Sequence, residues 1–345
     1  MKWLRRPASI ILPMNDITKA VPAPTLSDVA ALAGVSRAIA SRALSAEPRP
    51  VSADKREKVV RAAETLGYRP NSLARGLANN TVNLVAILVN HIHDLSDLDL
   101  FDLLLAEIQA IGKQVIFIRV GAGEHAESFL RDGVAYHVDA ALVFSDFADA
   151  ATVRRMFRNN AVLMLNGHHD PGAPSVTMDE DHGIGEAVAD AAGKGVRTAL
   201  LLTGRTMSLV EQARIASYRA ALALHGITLL GELAGDYSYA SGRELAGQID
   251  VEATGAVFCT SDAMAMGVLD AHRAHFPEHR PARFRLYGFD NVSLTQFDAY
   301  PISSIGADKR EYVAQIVRIL NQEGPLAQNS EHVLVPTRFV PRLTG

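Results

Sequence analysis

Between Thr25 and Leu66 the apolar residues recur three and four positions apart, the spacing of helices that bury one face. Val29, Ala30, Leu32 and Ala33 mark a first short helix, with Thr25 and Asp28 placed to cap its start. Gly34 and Val35 leave room only for a tight turn, after which Ser36 caps a second helix with the stripe Ile39, Ala40, Ala43 and Leu44. A third helix is predicted from Ala53 to Leu66, capped by Ser52, stopped at Gly67 and apolar at Val59, Val60, Ala63 and Leu66. The pattern is helix, tight turn, helix, with a third helix closing a small core. Beyond Pro70, Gly76 makes the stretch Ser72–Ala78 helical only with outside support.

From Asn83 the period changes. Leu84–Val89 is a continuous apolar run, as expected of a parallel strand buried on both faces, and a helix from about Leu100 to Ile111 follows. Strands over Val115–Val120, Ala140–Phe144 and Val162–Leu165 then alternate with helices over Glu124–Arg131 and Ala148–Arg158. A second set starts near His182, with helices over Gly183–Ala192, Gln212–His225, Ser241–Gln248 and Asp262–Ala274. Its strands are Thr198–Leu202, Gly255–Cys259 and Phe284–Tyr287. Two similar doubly wound α/β lobes are expected, joined by short crossovers because no long Gly-rich or Pro-rich linker separates them.

A chain of 345 residues with 48% hydrophobic content suffices for two or three domains. The single cysteine, Cys259, lies in an apolar run, reads as a buried strand residue and excludes an intrachain disulfide framework. No stretch approaches the roughly 18 apolar residues of a membrane span. In residues 1–24 the apolar part around Ile10 and Leu12 is cut short by Pro13, Asn15 and Asp16, so a disordered extension is expected rather than a signal peptide, with Met14 as an alternative start. The net charge of −4 is unevenly placed. Residues 25–80 carry nine Lys or Arg against five Asp or Glu, residues 1–24 carry four against one, and the remaining 265 hold −11. A basic front end on an acidic body fits nucleic-acid binding by one part and small-molecule work by the other.

The second short helix keeps Arg37, Ala38, Ser41 and Arg42 on the side opposite its buried stripe, where two guanidinium groups and small neighbours can enter a DNA major groove. In the α/β part, ligands bind at the carboxyl ends of strands. Asn90 and His91 follow the first strand there, Asn166 the fourth, Ser261 and Asp262 the strand ending at Cys259, and Phe289 with Asp290 the R-L-Y-G run. Asp262 is expected to cap the helix after it. His91 with His93, and His168 with His169, form two pairs near Asp94 and Asp170, but no strong metal-ligand spacing supports them and no metal or other cofactor is expected. No G-x-S-x-G, P-loop or G-x-G-x-x-G follows a strand, which disfavours an enzyme.

The order Thr25 to Leu44, V-S-A-D-K-R-E-K-V from Val51, G-Y-R-P-N from Gly67 and A-R-G-L from Ala74 resembles the headpiece and hinge of the lactose-repressor (LacI) family of bacterial transcription regulators. The resemblance covers nearly all of residues 25–345. It implies an all-α helix-turn-helix headpiece over 25–70, a hinge helix over 71–81 and a periplasmic-binding-protein-like core of two lobes over 82–345. The first lobe would take about 82–180 and 309–321, the second about 181–308 and 333–345, with crossings near Asp179–Asp181, near Ile305–Asp308 and toward the C terminus. It also implies that Ser36, Tyr68, Asn71 and Ala74 belong to the DNA-binding region and that Leu77 pairs with its dimer mate and wedges into the minor groove. Asn166, Arg214, Ser261 and Asp290 fall where the family makes effector contacts. Three departures stand out: Ser261-Asp262 where Asn-Asp is common, Asn166 where many sugar-binding members carry Asp, and Ile39-Ala40 where Thr-Val is usual. The implied protein is a cytoplasmic homodimer, with a tetramer left open. It would bind operator DNA under control of a sugar, sugar acid or other small metabolite. A two-lobed solute-binding protein and an enzyme on that scaffold are the alternatives.

Overall fold

A computed structural model describes residues 24–45, 50–69, 82–92, 94–120, 138–144, 149–157, 161–165, 167, 170, 172–206, 208–276, 283–322 and 330–345. They belong to two compact units that divide at residue 78.

In the first unit, α1 (Leu26–Leu32) starts in a reciprocal cap. The Asp28 carboxylate accepts from Thr25 N at 2.7 Å, and the Thr25 hydroxyl accepts from Asp28 N. Gly34, at φ +65°, makes the turn that L side chains resist, and α2 (Arg37–Ala43) begins with the Ser36 hydroxyl accepting from Ile39 N at 3.3 Å. Helix α3 (Ala53–Leu66) ends on Gly67; Ser52 sits at its head without the side-chain cap bond expected of it. Val29, Ala40 and Val59 are fully buried among Ala30, Ala43, Ala62 and Ala63. Arg56 of α3 donates to the Ala43 carbonyl at 2.8 Å, satisfying an acceptor at the end of α2. Two positions of the predicted stripes lie at the rim instead: Leu32 is 55% exposed and Val60 38%. A core built largely of alanine is narrow, so it covers less than the full apolar face of each helix.

The second unit carries eleven strands: β1 (Leu84–Val89), β2 (Gln114–Arg119), β3 (Ala140–Val143), β4 (Val162–Met164), β5 (Ser175–Asp179), β6 (Thr198–Thr203), β7 (Thr228–Ala234), β8 (Ala256–Cys259), β9 (Arg285–Phe289), β10 (Ser303–Ala307) and β11 (His332–Val340). Their order is β2-β1-β3-β4-β5-β11-β10-β9-β8-β6-β7. The helices are α4 (Leu95–Ala110), α5 (Ala150–Phe157), α6 (Glu180–Gly193), α7 (Leu209–Leu224), α8 (Tyr239–Leu245), α9 (Asp262–His275) and α10 (Lys309–Leu320). Every described strand pair is parallel except β10 with β11.

Both faces of each sheet half are covered, which explains the unbroken apolar runs. On β1, Val85, Ile87 and Val89 enter one core while Ala86 and Leu88 enter another; on β8, Phe258 and Cys259 divide in the same way. Strand β11 joins the halves. It runs parallel to β5 from His332 to Pro336 and antiparallel to β10 from Thr337 to Val340. Pro336, with no N–H to give to a ladder, stands at the change of partner. The chain also crosses between lobes from β5 into α6 and from β10 into α10, whose Tyr312, Val313 and Ile316 pack in the first lobe.

Helix α4 starts five residues earlier than the apolar pattern shows, because the Asp97 carboxylate reaches back to Asp94 N at 3.2 Å and extends the helix over a polar turn. The helix expected over Glu124–Arg131 lies outside the described residues.

Candidate functional site

On the headpiece unit, α2 presents Ser36, Arg37, Ala38, Ser41 and Arg42 to solvent, while Ala40 and Ala43 face the core. Neither Arg37 nor Arg42 is held by an ion pair among the described residues, whereas on α3 Lys58 pairs with Asp54 at 2.9 Å and Arg61 with Glu57 at 2.7 Å. The two α2 guanidinium groups are thus available to phosphates and base edges. Tyr68 is half-buried against the headpiece core, a packing position. Asn71, Ala74 and Leu77 lie outside the described residues.

In the α/β unit a cleft of about 580 Å³ opens between the lobes, lined from one side by Ser96, Asp97, Leu100 and Phe144 and from the other by Val210, Arg214, Phe289 and Asp290. A smaller cavity of about 170 Å³ shares Ser96, Val210, Arg214 and Asp290 with it and adds Asp94, Tyr237 and Ser261. Arg214, Ser261, Phe289 and Asp290 are therefore brought together. Asn90 and His91 are not: neither lines these cavities. Asn166, His93, His168 and His169 lie outside the described residues.

Arg214 is the centre of the floor. Its Nε and Nη2 donate to the two Glu180 oxygens at 2.8 and 2.6 Å, and its Nη1 donates to the Thr260 carbonyl at 2.9 Å. The guanidinium lies 3.8 Å from the centre of the Phe289 ring. Burial works against this charge, but the pair with Glu180, aided by Glu211 and Asp290, outweighs it and keeps Arg214 protonated. Glu211, one helical turn before Arg214, is fully buried; it accepts from Gly204 N at 2.5 Å, Thr260 Oγ1 at 2.7 Å and Tyr237 Oη at 2.9 Å. The last of these bonds ties down the hydroxyl of Tyr237, whose backbone is left-handed (φ +73°), a conformation that a non-glycine residue adopts only at a cost of about 1–3 kcal/mol.

Asp290, at φ +94°, is held by its backbone: its N–H donates to the Ile305 carbonyl at 2.7 Å and its carbonyl accepts from Lys309 Nζ at 3.0 Å. Burial pushes its carboxyl up to about 6, against the pull of Arg214 and Lys309. Ser261 takes the cap expected of Asp262. The Ser261 hydroxyl caps α9, accepting from Met264 N at 3.2 Å and donating to the Tyr237 carbonyl at 2.9 Å. Asp262 is instead the first helical residue and fully buried, accepting from Val292 N at 2.8 Å and Ser304 Oγ at 2.6 Å. Its burial, with Asp290 close by, pushes its carboxyl well above the usual range.

Two polar clasps bridge the rim. His91 lies 2.7 Å from Asp94, and Arg205, at the end of β6, reaches His91 at 2.9 Å and Asp94 at 3.3 Å. Asp99 of α4 accepts from Ser293 N at 2.7 Å and Ser293 Oγ at 2.9 Å. His91, Asp94 and Asp97 converge within 4.8 Å of one another, but Arg205 already supplies the positive charge at Asp94. The clasp residues Arg205 and Asp99, and the floor residues Glu180, Glu211 and Lys309, were absent from the sequence reading of the site. Glu211 alone left a signal, a carboxylate three residues before Arg214 on a helix.

A three-helix headpiece with an exposed cationic helix face, followed in the chain by a two-lobed unit with a cleft at its strand ends, defines a ligand-responsive DNA-binding regulator. Residues 25–71 match the family of bacterial regulatory proteins named lacI, and residues 188–344 match the periplasmic binding protein-like domain. The HTH-type transcriptional regulator AscG of Escherichia coli K12 is 29% identical over 311 residues, covering 85% of this chain and 90% of that one. Catabolite control protein A of Priestia megaterium is 26% identical, covering 86% and 92%. The crystal structure of the lac repressor dimer bound to operator and the anti-inducer ONPF superposes with a TM-score of 0.81 at 25% identity, covering 93% of this chain and 98% of that one. The chain carries a lacI-family DNA-binding domain followed by a periplasmic binding protein-like domain. It is a DNA-binding transcriptional regulator and, like these relatives, not an enzyme.

Proposed function

We propose that the chain is a cytoplasmic homodimeric repressor of a catabolic operon, whose headpieces bind a pseudo-palindromic operator and whose cleft closes on a sugar-like effector. The observation that carries the reading is the meeting of Arg214, Phe289 and Asp290 at one interlobe cleft, supported by the exposed cationic face of α2. The solved lac repressor that this chain resembles is a dimer bound to operator and a small ligand. No described helix is long and apolar enough to cross a membrane.

Mechanistically, each half-site takes α2 in the major groove, with Arg37, Ser41 and Arg42 toward base edges and phosphates, and Leu77 of each protomer wedges the minor groove. Effector binding changes the balance between lobe arrangements and so the spacing of the two hinges. A coupling of about 1–3 kcal/mol between the sites is typical of such regulators and is reciprocal in binding free energy.

Fluorescence anisotropy on the DNA upstream of its own gene, at two salt concentrations and with a panel of sugars, tests this. Specific binding shifted by one compound is the expected result. Equal affinity for unrelated DNA under both salts would overturn the reading.

A further inference from the structure

The charges that line the cleft do not cancel. Among the described residues Asp97, Asp179, Glu180, Asp181 and Asp290 face it, against Arg214 and Lys309. Both cations are already engaged within the chain. Arg214 is paired at two points with Glu180, and Lys309 Nζ donates to the carbonyls of Asp290 at 3.0 Å and Asn291 at 3.1 Å and lies 3.4 Å from Asp99. The carboxylates of Asp179 and Asp290 accept no hydrogen bond from any described residue, although Asp179 stands at the head of α6 where a cap bond is common. Among the described residues the lining is acceptor-rich and net negative with its cations spent, and such a lining is matched by a ligand that brings donors and positive charge.

Resting on the effector reading above, we propose that the effector is a cation, a protonated amine on a hydroxylated frame such as an amino sugar, held by Asp290 and Asp179, and that uronic acids and sugar phosphates are rejected. Hydroxyl groups alone satisfy the lone pairs of Asp179 and Asp290 but leave the field of the cleft uncompensated; an ammonium group does both. An anionic ligand would face the same carboxylates with only Arg214 and Lys309 among the described residues to meet it; that guanidinium is already paired and covered by Phe289, and that ammonium is engaged by the Asp290 and Asn291 carbonyls and by Asp99. Such like-charge juxtaposition is a means of discrimination as well as a cost. The upward displacement of the Asp290 carboxyl to about 6 agrees with a negative charge that lacks full compensation.

The test is calorimetric titration of the full chain at neutral pH with matched sets: glucose, glucosamine and glucuronate, and the corresponding galactose and mannose series, with operator release followed in parallel. The expected result is that one amine binds about tenfold or more tighter than its neutral parent. Its affinity should fall as salt is raised, and its uronate should not bind measurably. Asp290→Asn, which keeps the shape and suits the positive φ, should cut the advantage of the amine over its parent, and Asp179→Asn should do so independently. A neutral parent or a uronate that binds as tightly as the amine overturns the proposal and leaves the effector reading standing. A chain that binds no member of any set, and whose operator complex none of them shifts, overturns the effector reading and this proposal with it.

Discussion

The Arg205 guanidinium, at the end of β6 in the second lobe, lies 3.3 Å from the Asp94 carboxylate, which follows β1 in the first. His91 completes the clasp, so closure of the lobes is held at this rim by one shared acid.

Arg205→Ala should loosen that closure. The Arg205 side chain is about a third exposed, so the pair adds little to folding, within about 1 kcal/mol, and the melting temperature should hardly move. Effector affinity should fall severalfold, read by titration. Burial raises the Asp94 carboxyl, but hydrogen bonds from His91 and Arg205 outweigh it and hold it below the ordinary range. Its contribution is therefore present above about pH 4 and is lost only as pH falls through the lower folded value.

Arg214→Ala should act on both stability and response. Removing one partner of a buried ion pair costs about 3–5 kcal/mol, and here Glu180 and Glu211 would be left facing each other without their cation. A lowered denaturation midpoint together with loss of the effector response is the expected outcome. An unchanged midpoint would show that Glu180 finds another partner.

Much of the fold follows from period alone. The runs at β1, β6 and β8 are buried on both faces and so are apolar throughout, and the headpiece helices carry their caps at Thr25 and Ser36. Strands β5, β7 and β10 escaped that reading for separate reasons. β7 is an edge strand with alternating exposure, β5 mixes Ser, Thr and Asp with its apolar residues, and β10 contains only Ile305 as a bulky apolar side chain. At the site, Arg214 and Asp290 were visible from motif position and strand ends. Their partners were not, because Glu180, Lys309 and Arg205 come from segments far apart in sequence and meet only through the crossovers. That Ser261 and not Asp262 caps α9 was likewise hidden. Both residues can cap a helix, and what decides is Ser304, 42 residues on, donating to the buried Asp262 carboxylate.

Gly204→Ala should disturb the site without touching a charge. A methyl group there would enter the Tyr237 ring, which is fixed by its own backbone and by Glu211. Overpacking of this kind costs about 1–3 kcal/mol. The loss should appear as a lowered melting temperature accompanied by weaker effector binding, since the Arg205 guanidinium lies over the Tyr237 ring, 5.1 Å from its centre.

Arg42→Ala should weaken operator binding by about 1–3 kcal/mol if the guanidinium reads a base edge, and should relax preference at that base pair. If Arg42 meets phosphate instead, specific and unrelated DNA should lose affinity equally and the salt dependence should become shallower by about one ion. The headpiece should stay folded in either case, because Arg42 is exposed and makes no described ion pair. Anisotropy titrations on both DNAs at two salt concentrations separate these outcomes.

Asp290 predicts opposite pH trends for folding and for effector binding. Its folded pKa of about 6 lies above the ordinary value near 3.9, so between those limits the folded chain holds a proton that the unfolded chain has released. The stability that this group contributes is therefore complete below about pH 4 and is lost as pH rises through about 6. Binding of an amine effector runs the other way, strengthening through the same range as the carboxylate forms. Asp290→Asn should remove the inflection near pH 6 from both curves at once, measured by denaturant midpoints and by calorimetric titration. An inflection that survives in the binding curve would place the titrating group elsewhere on the cleft.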